Sequence, residues 1–198
     1  MRRYFRRMTS TNKITDLAGK LLIAMPDMGD PRFEKSVVLV CSHSPEGTMG
    51  LIVNKCADEV KFPELLEQLK VTTTGEIRET PVHFGGPVET ARGFVLHSDD
   101  FDTDESAMDI PGGYRVTATL GILEALAKGH GPEKSLMALG YAGWGPGQLE
   151  SELQDNGWLT SDADSGLVFS SDNDGKWVGA LKKMGVSAMH LSASGGRA

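Results

Sequence analysis

Apolar residues in this chain fall in short runs separated by glycine, proline and acidic clusters, and the spacing inside each run sets the element it predicts. GKLLIAMP (19–26) is an apolar run closed by proline and predicts a buried strand. SVVLVCSH (36–43) is β-branched and apolar at both parities, the pattern of a strand covered on both faces. TMGLIVNK (48–55) follows across SPEG, predicting a hairpin with Gly47 in its turn. Between the first two runs, DPRFEKS (30–36) puts Asp30 at a capping position and Pro31 at a first helical one, so one helical turn is expected there.

Farther along, FPELLEQL (62–69) carries Phe62, Leu65, Leu66 and Leu69 at helical spacing. PVHFGGPV (81–88) and RGFVLHS (92–98) predict two strands around a Gly85-Gly86-Pro87 turn. YRVTATL (114–120) runs into a helix, LGILEALAK (120–128), that Gly129 and Pro132 stop. KSLMALGYAGW (134–144) predicts a buried strand, followed by a Gly-rich loop and a helix over about 148–154. GWLTS and GLVFSS predict short strands. DGKWVGALKKMG (174–185) predicts a closing helix with Trp177, Leu181 and Met184 on one face and two lysines in its last turn, where the helix dipole favours them. About seven or eight strands and about four helices, without a repeated strand–helix–strand unit, make an α+β (mixed α/β) fold. The expected organisation is one domain, residues 18–198, behind a flexible basic N-terminal tail, residues 1–17.

Three blocks of this chain, GKLLIAMPDMGDPRFEKSVVLVCSHSPEGTMGLIVNK, then HFGGPVETARGFVLHS, then GYAGWGPGQLESEL followed by WL, resemble in content and order the signature blocks of the AlgH/YqgE family. These are bacterial proteins, with plastid relatives, of largely undefined biochemistry. The resemblance implies a single compact α/β domain on a curved, barrel-like β-sheet. It also carries the label of transcriptional regulator, and it supplies no catalytic residues to transfer.

Charge narrows the partners. The net charge is −7 and the pI about 5.2, and the one dense basic cluster is Arg2, Arg3, Arg6 and Arg7. Direct nucleic-acid binding is therefore disfavoured, because duplex readers neutralise phosphates with a basic stripe. No run approaches the roughly 20 apolar residues of a membrane span, and the basic start lacks an apolar segment behind it, so neither a span nor a secretory leader is expected. Met1 and Met8 both stand as candidate starts. Cys41 and Cys56 are too few for a disulfide framework and read as reduced thiols of a cytoplasmic protein.

The chemical motifs fail one by one. GYAGWGPGQLE (140–150) lacks the lysine and hydroxyl of a Walker loop, and Pro146 removes an amide from any phosphate nest. It reads as a rigid turn with Trp144 as a packing anchor. The acid run SDDFDTDESAMD (98–109) fits an EF-hand at positions 1, 3 and 5 but has Glu105 and Pro111 where glycine and glutamate belong, so it reads as a solvated loop. Cys41 and His43, two apart on a strand, should share a face, but no second ligand pair stands at zinc spacing. No catalytic residue, metal or cofactor is expected. The candidate ligand- or partner-binding residues are Asp30, Arg32, Glu89, His97 and Trp144, in or near segments rich in glycine and proline. With Asn54, the polar members of this set also suit turn capping and core hydrogen bonding. The expected function is regulatory or binding, with an unknown small molecule or protein as partner. The alternative is a hydrolase or nucleotide-handling enzyme with a groove near Asp30, Arg32 and His97.

Overall fold

The structure is a computed structural model that describes residues 16–71, 80–102, 107–188 and 191. Most of the basic tail and residues 103–106 of the acid run lie outside the described residues. Among the described residues there are nine strands: β1 (Lys20–Ala24), β2 (Val37–Ser44), β3 (Gly47–Ile52), β4 (Val82–Phe84), β5 (Val88–Ser98), β6 (Met108–Ile110), β7 (Tyr114–Thr117), β8 (Ser135–Trp144) and β9 (Trp158–Asp162). They form one sheet in the order β6-β7-β5-β8-β3-β2-β1-β9, with β4 added to β8 in parallel. The helices are α1 (Phe62–Gln68), α2 (Leu120–Ala127), α3 (Gln148–Gln154), α4 (Ser165–Val168) and α5 (Asn173–Lys183). The sheet is curled into a half-barrel, as the family resemblance implied.

The curl explains the core. Ile110 of β6 and Leu21 of β1 stand near opposite ends of the strand order yet share one apolar cluster with Leu96, Leu136, Leu39 and Leu51. Only the concave face of a curled sheet can collect both ends. Trp177, Ala180 and Leu181 of α5 and Val168 of α4 fill that concavity. A second cluster, with Leu22, Val38, Val40 and Ile52, lies on the convex side under α3. A third, with Val95 and Met137, is covered by α1 and α2. β2 is thus buried on both faces, as its double-parity pattern predicted.

β8 is the strand on which the halves meet. Its first part pairs with β5 and β4, and Ala142–Trp144 pairs with β3. Between them Gly140 adopts φ +69°. There the segment after β4 crosses so closely that a β-carbon on Gly85 would overlap the Gly140 carbonyl oxygen, and one on Gly86 would overlap the Tyr141 carbonyl. Gly85 donates its N–H to Leu139 O at 2.8 Å and accepts from Ile52 N at 2.9 Å, tying β8 to β3. Two of the family-like blocks are therefore backbone against backbone.

Three expectations are corrected. GLVFSS contains helix α4, because Asp164 caps the turn by accepting from Leu167 N at 2.8 Å. The end of the acid run forms β6, which pairs with β7, and Arg115 bonds Asp109 across that pair at 2.8 Å. Cys41 and His43 do not share a face. A register shift between Val40 and Ser42 breaks the alternation, so Cys41 joins the concave core while His43 bonds Thr48 at 2.8 Å on the α3 side.

Asp172 caps α5 through Gly175 N at 3.0 Å, and the helix carries Lys176 inward, where it is 2% exposed and its Nζ donates to Val53 O at 2.6 Å. Desolvation pushes this lysine down to about 8, against the opposing charges of Cys56 and Asp172.

Gly140→Ala should lower unfolding stability by about 3 kcal/mol or more, since left-handed strain and steric overlap add. Gly129→Ala, also at positive φ but in open space, should lose only about 1 kcal/mol. Urea unfolding compares them, and equal losses would contradict the crossing. The lysine gives a pH dependence. Its folded value lies below the unfolded one of about 10.4, so the unfolded chain binds more protons between the two. Its contribution therefore makes stability rise as pH increases from about 8 to about 10.4, by the order of 2–3 kcal/mol. Lys176→Met should lose that rise when unfolding curves at pH 7.5 and 10 are compared with those of the unaltered protein.

Candidate functional site

The Gly-rich stretch resolves into the end of β8, a turn, and the start of α3. Gly147 starts the helix at φ +71°, and Gln148 turns back so that its Oε1 accepts from Gly145 N at 3.0 Å. That amide is consumed inside the turn.

One turn into α3, Glu152 makes the contact that organises this end of the molecule. Its Oε2 accepts from Trp144 Nε1 at 2.9 Å and from Trp158 Nε1 at 2.8 Å, and its Oε1 accepts from Gln148 Nε2 at 2.9 Å. Trp144 ends β8 and Trp158 begins β9, so one carboxylate fixes two indoles from distant strands. The rings stand edge to face, with centroids 5.8 Å apart. Phe33, from the 3-10 turn Pro31–Phe33, packs edge-on against Trp158 at 5.6 Å and tilted against Trp144 at 6.2 Å. Asp30 caps that turn through Arg32 N at 3.0 Å and clasps the Arg32 guanidinium at 2.6 Å. This bond holds the Asp30 carboxyl below its usual range.

A cavity of 480 Å³ opens beside this cluster, lined by Met28, Asp30, Arg32 and Phe33, by Pro87 and Val88, and by residues of the Gly143–Gly157 stretch. Stretches from all three family-like blocks thus converge on one groove. Through Val88, Gly143 and Trp144 it adjoins a second cavity of 680 Å³ at the mouth of the concave face. Met49, Phe94 and Tyr141 line that cavity, and Glu89 and Arg92, paired at 3.1 Å, stand at its rim. Asp30, Arg32 and Trp144 therefore share the first groove, and Glu89 shares the second with Trp144. His97 lines neither. It is fully buried, 3.0 Å from Thr117 Oγ1 and 2.8 Å from Ser98 O, and desolvation lowers its basicity. Asn54 has the capping role suggested for it, accepting from Val37 N at 2.8 Å and donating to Lys35 O at 2.9 Å.

Sequence reasoning missed Phe33, Gln148, Glu152 and Trp158. For Glu152 the chain does hold a clue. Its position between two tryptophans, eight residues after one and six before the other, was the available signal.

Comparisons with known proteins agree with the fold. The family model described as DUF179, AlgH-like, matches residues 21–189. A UPF0301 protein of Cereibacter sphaeroides is 55% identical over 183 residues, covering 92% of this chain and all of the relative. One from Ruegeria pomeroyi is 56% identical over 184 residues, with the same coverage. The solution structure of the AlgH protein from Pseudomonas aeruginosa superposes with a TM-score of 0.76 at 40% identity, covering 93% of this chain and 97% of that one. A crystal structure from Corynebacterium diphtheriae, at 21% identity and a TM-score of 0.70 over 89% of this chain and 92% of its own, shares the fold.

Removing the Glu152 carboxylate should be costly because it strands two indole donors. Glu152→Ala is expected to lose about 2–4 kcal/mol of stability and part of the near-ultraviolet circular dichroism of the tryptophans. Glu152→Gln, which keeps an acceptor, should lose less. Equal losses in chemical denaturation would assign the effect to packing alone.

Proposed function

The chain belongs to the AlgH-like family of UPF0301 proteins, and on that premise we propose that it is a non-catalytic binding domain whose ligand enters the groove lined by Phe33 and Trp144. The convergence of three separate glycine- and proline-rich segments on a groove with a clamped aromatic wall carries this reading. A wall fixed before binding loses little freedom when a ligand arrives. Two of the carboxylates that line the groove are engaged, Asp30 by Arg32 and Glu152 by two indole donors, which supports binding over catalysis. Phe33 and Trp144 suit an apolar or planar body, and the Asp30–Arg32 pair suits a polar group beside it. The occupant is a small molecule or a segment of a partner protein, and a regulatory role would act through its capture. Among the described residues no helix is long and apolar enough to cross a membrane, and the two free thiols are consistent with the reducing cytoplasm.

A thermal-shift screen against nucleotides, flavins, phosphorylated metabolites and divalent metals tests this reading. A ligand at 100 times its dissociation constant stabilises by about 2.7 kcal/mol, a rise of roughly 5–10 °C for a domain of this size. Binding in the groove should weaken about tenfold in Arg32→Ala, whose side chain is exposed. A ligand that binds Arg32→Ala and Asp30→Ala as tightly as the unaltered protein, or that is turned over chemically, would overturn the proposal.

A further inference from the structure

The charge around the groove narrows what its aromatic wall can hold. Asp30, Glu152 and Asp155 bring three carboxylates to the lining, and Arg32 is the one cation among the described residues that line it. The groove therefore carries an excess of two negative charges. Lys55 does not line it: its Nζ donates to Arg32 O at 2.7 Å, and both Glu34 and Asp30 act on its charge. Of the three acids, Asp155 stands alone. It caps the C-terminal end of α3, no basic residue stands in the last turn of that helix, and among the described residues its side chain makes no hydrogen bond or ion pair. An acid beside the end carbonyls of a helix is electrostatically unfavourable, so the fold keeps a negative charge there that no protein group balances. The wall itself offers ring carbon and no donor. Trp144 gives its only N–H to Glu152, and Phe33 has none. Such a surface takes either an apolar body or a cation, which the negative face of an aromatic ring attracts. The unbalanced charge decides between them, because an apolar body would strip water from the carboxylates and offer them no partner. Arg32 supplies the other end of the site. Asp30 takes its Nε and Nη2, and Nη1 has no hydrogen bond among the described residues.

We propose, resting on the reading of this groove as a binding site, that its ligand is a small betaine-type zwitterion. The alkylated ammonium lies against Phe33 and Trp144 with Asp155 beside it, and the carboxylate accepts from Arg32 Nη1. A fully alkylated nitrogen has no N–H to satisfy, so ring carbon is a sufficient surface for it, whereas a primary ammonium would need three acceptors. The 480 Å³ of the groove encloses a molecule of this kind. A simple anion meets only Arg32 against three carboxylates, and a simple cation leaves Nη1 unused.

The test titrates the full chain with γ-butyrobetaine and with its carbon isostere, in which a quaternary carbon replaces the nitrogen, and follows the indole N–H signal of Trp144 by NMR. γ-Butyrobetaine should shift that signal saturably and bind about tenfold more tightly than the isostere, the ratio expected of a cation held on aromatic rings. Asp155→Asn removes an exposed charge that has no partner in the fold. It should weaken γ-butyrobetaine about threefold, as for an exposed ion pair, and leave the isostere unchanged. Arg32→Ala should weaken both probes. Equal affinity for the two probes, an unaltered affinity for γ-butyrobetaine in Asp155→Asn, or no saturable shift with γ-butyrobetaine overturns the zwitterion. Equal affinities that Arg32→Ala still weakens would keep the groove as a binding site and remove only this ligand class. Binding that neither variant changes would contradict both.

Discussion

Two stretches of backbone occupy the space of missing side chains where Gly85 and Gly86 lie against Gly140 and Tyr141. β8 must pair with β5 and β4 in its first part and with β3 in its last. It can do both because Gly140 turns the strand through a left-handed conformation while the crossing segment bonds both neighbours. The curl of the sheet, the concavity filled by α5, and the position of Trp144 all follow from that bend. A single turn of sequence, GGP, also delivers Pro87 and Val88 to the groove it helps to create.

The groove depends on a second economy of structure. Glu152 is an acid on a short helix, and alone it would project into water. Instead it satisfies the two indole donors that the ends of β8 and β9 bring beside it, and Gln148 orients it from one turn earlier. The carboxylate is occupied by the wall it holds. What remains for a ligand is the aromatic surface and the Asp30–Arg32 pair.

How much of this was legible depended on range. The double-parity run of β2 and the helical spacing of α1 are local patterns, and both appear as read. The family-like blocks implied the curved sheet, and their glycines marked the places where backbones meet. Three readings failed for local reasons. Apolar GLVFSS looked like a strand until Asp164 capped it, β6 is only three residues long behind an acid run, and one register shift in β2 reversed the facing of His43 relative to Cys41. Glu152 failed for a distant reason. Its partners stand on two strands whose ends meet only after the sheet has curled. His97 illustrates the converse, a residue type associated with catalysis that the fold uses as an internal tie between β5 and β7.

The most direct test of a groove wall set before any ligand arrives is hydrogen exchange at the three indole nitrogens, followed by NMR in the unliganded protein. Trp177, bonded to Ala24 O at 2.9 Å in the core, is the reference. The account predicts that the Trp144 and Trp158 indole hydrogens exchange slowly and by the same opening event, because they share one acceptor. Exchange of both at rates near those of free indole, with Trp177 protected, would contradict it.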